Sequence, residues 1–216
     1  MVSMTMIIII ITCLVSIVAF SNHKLMDDLI FWPPAISNRR QYYRFFTCGL
    51  IHADFVHLSF NMYSLYIFGK IVEPKFVQLF GQYGPLCYLL MYVSALPICL
   101  LPTYMRNRDN YYYRSLGASG AVSAVVFAFI FLDPLQRLGL IFIPIYIPGF
   151  IFGLLYLGVS TYLDKKGGGS INHSAHIWGA LYGISFLIIF GNAFGKFKPL
   201  NEFIDQVRYF FSTLSS

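Results

Sequence analysis

Residues 117–132 read GASGAVSAVVFAFIFL, a run without a charged side chain that passes from small residues into bulky aliphatic and aromatic ones. Gly120, Ala124 and Ala128 recur at four-residue spacing, so on a helix they form a stripe of small side chains along one face. Stripes of this kind let membrane helices approach each other backbone to backbone. The run therefore predicts a membrane helix that packs closely against a neighbouring helix.

The composition of the whole chain fits a membrane protein. Hydrophobic residues make up 57% of the 216 residues, charged residues only 11%, and the mean hydropathy is +0.66. A soluble domain has about 25% charged residues, because its surface faces water. A membrane helix needs about 17–25 mostly apolar residues, and six apolar segments are candidates. They cover roughly residues 4–20, 55–73, 84–101, 117–132, 139–163 and 174–194.

We predict an all-α polytopic membrane protein with one six-helix bundle in residues 1–195 and a C-terminal tail in 196–216. Pro144 and Pro148 indicate that the fifth segment begins as kinked or interfacial chain. The fourth segment is short, and we expect it to extend a little beyond Pro134. Apolar residues of the tail follow roughly helical spacing, which fits an interfacial helix and a frayed end equally well. They are Phe203, Val207, Phe210 and Phe211.

Several other classes of protein fit the sequence less well. No Lys or Arg precedes the first segment, so a retained helix is favoured over a secretory signal peptide. The net charge of +6 is scattered through the connections, which favours juxtamembrane anchoring over nucleic-acid binding. We predict no cofactor and no metal, and the four cysteines read as packing residues beside apolar segments. They are Cys13, Cys48, Cys87 and Cys99.

The basic residues also bear on orientation. Six spans place both termini on one side of the membrane. The connections after spans one, three and five carry nine of the 15 Lys and Arg residues, and the other side carries six. Because basic residues are enriched on the cytoplasmic side, this count favours termini outside.

Polar side chains lie at the starts of spans two, four and six. Span two begins with His57 and Asn61, span four with Ser119, and span six with His176. These three spans enter the membrane from the same side, so the four side chains lie at similar depth. His57 and Asn61 are four residues apart and share one helix face. Polar groups inside a membrane are costly, so their convergence indicates a functional site.

The sixth span also carries a stripe of small residues. Ala175, Gly179 and Gly183 recur at the four-residue spacing of the stripe in span four. If the two stripes pack together as parallel helices, Ser119 lies near His176 at matching depth. The spacing therefore predicts that these two side chains meet.

A serine beside a histidine suits the hydrolysis of an amide. Ser119 can attack a carbonyl once the imidazole of His176 takes its proton, and His176 can then protonate the leaving amine. His57, Asn61 and the backbone N–H of Ser119 are candidate donors to the developing oxyanion. Gly117 and Gly120 let the chain approach closely around Ser119. No aspartate lies near these motifs within a span, so we predict a Ser–His dyad.

The ordered set of motifs resembles the rhomboid family of intramembrane serine proteases. GxSG alone is a weak signal, but the combination covers about residues 40–185 and is specific. The matching residues are Arg44, His52, His57, Asn61, Gly69, Glu73, Gly117-Ala118-Ser119-Gly120, Ala175, His176, Gly179 and Gly183.

The resemblance implies a rhomboid-like six-helix bundle whose first connection, about 22–54, lies partly in the membrane. It implies Ser119 as nucleophile, His176 as base, and His57 and Asn61 as oxyanion donors. It also implies single-pass membrane proteins as substrates, and a mobile cap over the site formed by the connection with Lys165, Lys166 and glycines 167–169.

Two features depart from the family pattern. An aromatic residue often stands four residues after the nucleophile and packs on the catalytic histidine, whereas Ser123 stands here. Trp178 is one candidate to steady His176 instead. The family also usually keeps its N-terminus in the cytoplasm, against the charge count. We follow the family and expect the cell (inner) membrane with cytoplasmic termini.

Two alternative functions stay open at this point. An inactive family member would bind the transmembrane helices of client proteins, and Ser123 keeps this reading open. A small channel or transporter would spread its polar residues along several helices, whereas here they cluster at one depth.

Overall fold

The computed structural model describes residues 3–140, 143–167, 169 and 171–214, apart from the side chains of residues 140 and 143–145. Helices dominate this part of the chain. In chain order they are α1 (Met4–Ser21), α2 (His23–Leu29), α3 (Pro33–Arg39), α4 (Arg44–Thr47), α5 (Phe55–Phe80), α6 (Gly84–Asn107), α7 (Ser119–Leu132), α8 (Gly149–Lys166), α9 (His173–Phe194) and α10 (Pro199–Leu214).

Helices α1 and α5 to α9 correspond to the six predicted spans and form one bundle. Among the described residues, three apolar helical stretches are long enough to cross a membrane, and a fourth, Ser119–Leu132, is apolar but shorter. The three are Met4–Ser21, Phe55–Asn107, which contains α5 and α6, and His173–Phe194. The prediction of an all-α membrane bundle is confirmed.

The short helix α7 lies at the centre of the bundle. Twelve of its 14 residues are buried, and it packs against α5, α6, α8 and α9. At 1.5 Å per residue it is about 21 Å long, whereas the hydrocarbon layer is about 30 Å thick. Because its neighbours shield it from lipid, α7 can begin inside the membrane at Ser119.

Helices α7 and α9 pack through their small residues. A Cβ atom on Gly179 would overlap the backbone of Gly120, and one on Gly183 would overlap the backbone of Ala124. Any larger side chain at either glycine must separate the two helices. The contact therefore fixes both the distance and the register between α7 and α9.

The start of α1 is held by a carboxylate on α5. Glu73 accepts hydrogen bonds from the Ser3 hydroxyl at 2.7 Å, from the backbone N–H groups of Met4 and Thr5, and from the Thr5 hydroxyl at 2.9 Å. The first N–H groups of a helix lack intrahelical partners and favour a negative charge. Glu73 supplies that charge and ties α1 to α5.

The connection between α1 and α5 folds into the short helices α2, α3 and α4. Phe31 pairs with Ser115 in an antiparallel bridge, which joins this connection to the chain just before α7. The buried Arg44 donates hydrogen bonds to the carbonyl oxygens of Asp27 and Ile30. The connection is thus ordered, and its depth in the membrane stays a prediction.

The fifth predicted span is wrong over its first part. Two strands, β1 (Arg137–Leu140) and β2 (Ile143–Pro148), pair antiparallel in this stretch, and α8 begins only at Gly149. Two prolines in this stretch lack the N–H groups that a helix needs. The predicted extension of the fourth span beyond Pro134 is also wrong, because α7 ends at Leu132.

The C-terminal tail forms α10, an amphipathic helix that packs on the end of the bundle. The Phe203 ring stacks on Phe131 with a centroid separation of 4.8 Å, and Phe210 contacts Phe150 at 5.4 Å. Of the two readings that the sequence left open, the helix is the one observed. Its position at the membrane surface stays a prediction.

We predict that Glu73→Ala destabilises the bundle. The change leaves the donors at the start of α1 without their acceptor, and a buried unsatisfied group costs about 1–3 kcal/mol. Thermal unfolding of the detergent-solubilised variant should show a lower midpoint. Glu202→Ala on an exposed position of α10 is the control and should unfold like the wild type. Equal midpoints for all three proteins would contradict the role given to Glu73.

Candidate active site

The structure brings Ser119 and His176 together. The Ser119 hydroxyl oxygen lies 2.7 Å from Nε2 of His176, within hydrogen-bond distance. Ser119 is the first residue of α7, and His176 lies in the first turn of α9. Both side chains are half-buried. This geometry allows the imidazole to take the hydroxyl proton directly.

Two contacts hold α9 in the position that this distance requires. Gly179 lies against the backbone of Gly120, one residue after the serine. At the start of α9, the side-chain oxygen of Asn172 accepts hydrogen bonds from the Ala175 N–H and from the Thr103 hydroxyl on α6, both at 3.1 Å. The histidine is therefore fixed by the backbone packing and the cap of its own helix.

The loop before Ser119 depends on a glycine. Gly117 has a φ of 108°, in the left-handed region that favours glycine. Its N–H donates to the Cys48 carbonyl at 2.9 Å, and a Cβ atom at this position would overlap the ring of His57. The predicted close approach around the serine is therefore present, and the neighbouring group is His57.

His52 orients the same loop, a role that the sequence did not reveal. Its Nε2 accepts the N–H of Ala118 at 3.3 Å, so the ring carries its proton on Nδ1. Nδ1 lies 3.0 Å from the Ser16 hydroxyl oxygen, which donates in turn to the Leu50 carbonyl at 2.8 Å. A chain of hydrogen bonds thus runs from α1 to the residue before Ser119. Only the match of His52 to the family pattern marked it in the sequence.

His57 lies on α5 beside this loop, and Asn61 lies one turn further along the same face of α5. Nδ1 of His57 accepts the Ala53 N–H at 3.5 Å, which leaves the proton of a neutral ring on Nε2, beside Gly117. The buried Asn61 donates one side-chain N–H to the His57 carbonyl at 3.0 Å. Its amide has a second N–H group for another acceptor.

A polar cavity of about 190 Å³ lies between the ends of α6 and α8 and the start of α9, and neither Ser119 nor His176 lines it. His173 lines it, and the His173 ring is 6.0 Å from that of His176. Two further lining groups, Nδ2 of Asn172 and the hydroxyl of Ser174, are buried and have no hydrogen-bond partner within the described residues. Water is suited to such a space, since it satisfies several polar groups at once.

Ser123, where the family often has an aromatic residue, lies near an aromatic ring from another helix. The hydroxyl of Tyr156 on α8 is 3.5 Å from that of Ser123. Trp178 is 44% exposed and lies two residues from His176, on a different side of α9. The ring of His173 is the one that contacts His176 among the described residues. Within the described residues, no group of three His, Cys, Asp or Glu side chains could hold a metal ion.

Comparison with known proteins identifies the family of the chain. The Rhomboid domain family matches residues 39–193, which contain every residue of the site described above except Ser16. The chain belongs to the Rhomboid family.

Curated relatives carry rhomboid names. RHOMBOID-like protein 12, mitochondrial, of Arabidopsis thaliana is 31% identical over 145 residues, which cover 62% of this chain and 42% of that protein. Presenilin-associated rhomboid-like protein, mitochondrial, of Homo sapiens is 31% identical over 140 residues, 63% of this chain and 35% of that protein. Rhomboid-like protein 11, chloroplastic, of Arabidopsis thaliana is 42% identical over 82 residues, 38% of this chain and 26% of that protein. The chain thus spans less than half the length of these relatives.

We predict that Gly179→Leu disrupts the pair of Ser119 and His176. The added side chain must push α9 away from Gly120, and a displacement of about 1 Å can cost about 10²-fold in rate. The readout is the rate at which a fluorophosphonate probe labels Ser119 in detergent.

Gly158→Leu on α8 is the matched control, because a Cβ atom there would meet nothing within 4 Å. It should be labelled at the wild-type rate. Labelling of Gly179→Leu at that same rate would show that the glycine contact does not set the distance between Ser119 and His176.

Proposed function

We propose that the protein is an intramembrane serine endopeptidase that hydrolyses peptide bonds in or near transmembrane segments. The observation that carries the proposal is the 2.7 Å distance between the Ser119 hydroxyl and Nε2 of His176, at the start of a helix buried in a membrane bundle. Membership of the Rhomboid family supports the same activity.

The reaction follows from the positions of these two side chains. Nε2 of His176 takes the hydroxyl proton as the Ser119 oxygen attacks the substrate carbonyl, and it then gives the proton to the leaving amine. A water molecule, deprotonated by the same nitrogen, hydrolyses the acyl-enzyme and restores the serine. We propose that this water comes from the polar cavity that His173 lines, since the His173 ring lies 6.0 Å from that of His176.

The negative charge that develops on the carbonyl oxygen needs donors. The backbone N–H of Ser119 is in the first turn of α7, where N–H groups lack intrahelical partners and the helix dipole favours a negative charge. Nε2 of His57 lies near the same loop, and Asn61, one turn further along α5, has a second side-chain N–H. We assign these three groups to the oxyanion hole.

The substrates we propose are single-pass membrane proteins, because the nucleophile begins a helix that is buried in the membrane bundle. The names of the curated relatives place those proteins in mitochondria or chloroplasts. An organelle membrane is therefore a better proposal for this chain than the cell membrane expected from the sequence. The side on which the termini lie stays a prediction.

Purified protein should cleave a labelled single-pass membrane substrate in proteoliposomes. Ser119→Ala should abolish cleavage and His176→Ala should reduce it at least about 10³-fold, because either change removes the dyad. Ser115→Ala and Ser123→Ala are controls and should keep cleaving. Cleavage by Ser119→Ala at the wild-type rate would exclude the assigned nucleophile. Binding without cleavage by the wild type would indicate an inactive client-binding protein.

His57→Ala and Asn61→Ala should each slow turnover while leaving the fold intact. Loss of one oxyanion donor in a serine protease costs about 10²–10³-fold in rate. Single-turnover kinetics with the labelled substrate give the chemical step, and thermal unfolding reports the fold. Wild-type rates in both variants and in the double variant would place the oxyanion hole elsewhere.

A further inference from the structure

A second concave surface lies far from the dyad, at the opposite end of α1 and α5. It is a groove of about 720 Å³, within the about 300–1,000 Å³ of typical ligand pockets. Its walls come from the start of α1, the second half of α5 and the start of α6. They are largely apolar, and Met6 and Tyr66 are 40% and 44% exposed. Exposed apolar side chains of this kind suit contact with acyl chains.

One cation lines this groove. Lys70 is exposed, and its ammonium group lies 5.8 Å from the centre of the Tyr66 ring. It forms no salt bridge with a carboxylate among the described residues. Lys75 pairs with Asp133 at the end of α7, and Lys70 lies one and a half turns earlier, about 7.5 Å deeper along the helix. An exposed cation beside an apolar wall, without a carboxylate partner, suits a ligand that carries a negative charge.

The carboxylate of Glu73 also lines the groove, but it already accepts hydrogen bonds from the protein. Both of its oxygens accept hydrogen bonds from the first residues of α1, whose helix dipole favours a negative charge there. Because both oxygens of Glu73 are directed at α1 and no described carboxylate pairs with Lys70, the Lys70 ammonium is the charged group of the groove that can bind a further anion.

We propose that the groove binds an anionic phospholipid, with its phosphate on Lys70 and an acyl chain along the apolar wall. Phospholipid matches both parts of the surface, since it joins a negative group to a long apolar chain. A bound lipid at this position would contact both α1 and α5. This site is independent of the peptidase activity proposed above.

The proposal is tested by native mass spectrometry of the delipidated protein in dodecyl maltoside, titrated with dioleoyl phosphatidylglycerol or dioleoyl phosphatidylcholine. The wild type should bind one phosphatidylglycerol more tightly than phosphatidylcholine. Lys70→Gln should weaken phosphatidylglycerol binding about fivefold, the effect of one basic side chain near anionic lipid. Lys196→Gln is the matched control, because Lys196 lies outside the groove near the same end of the bundle.

A second variant tests the groove itself. Met6→Trp should obstruct the path of the acyl chain, leave Lys70 in place and reduce binding of both lipids. Thermal unfolding without added lipid confirms that each variant is folded. The proposal is overturned if Lys70→Gln binds phosphatidylglycerol like Lys196→Gln, if Met6→Trp binds like the wild type, or if the wild type does not distinguish the two lipids.

Discussion

The close contact between α7 and α9 determines the rest of the site. In lipid no hydrophobic force draws two helices together, so their association depends on packing and hydrogen bonds. Gly179 and Gly183 bring the backbone of α9 onto Gly120 and Ala124, which maximises dispersion contacts along the seam. The serine and the histidine are each within three residues of this seam. Their separation is therefore a property of two backbones more than of two flexible side chains.

A helix that begins inside a bundle has N–H groups without intrahelical partners, and the loop before it also needs hydrogen-bond partners. The loop donates hydrogen bonds to the Cys48 carbonyl and to His52, while Phe31 pairs with Ser115. All three partners come from the connection between α1 and α5. Irregular backbone at membrane depth is tolerated only when protein or a water-filled cavity surrounds it. The ordered connection thus makes the buried start of α7 possible.

The sequence predicted the features that follow from local patterns. Apolar runs located the spans, and the matching small-residue stripes anticipated that Ser119 and His176 would lie close together. Features that depend on distant partners could not be predicted in this way. His52 accepts a hydrogen bond from the loop before α7, and Glu73 accepts hydrogen bonds from the start of α1. Both residues join segments that share no periodicity in the sequence. The strand pair before α8 was missed because its apolar residues resemble a span, although its prolines already argued against a helix.

Ser123 stands where the family often has an aromatic residue, and a tyrosine from another helix lies beside it. The hydroxyl of Tyr156 on α8 lies 3.5 Å from that of Ser123. The Tyr156 ring contacts Phe127 with a centroid separation of 5.5 Å. Helix α8 is otherwise lightly packed, with only Gly149, Gly153 and Ser160 buried among its described residues. The position of His176 therefore depends on the backbone of α9, which the glycine contact holds against α7.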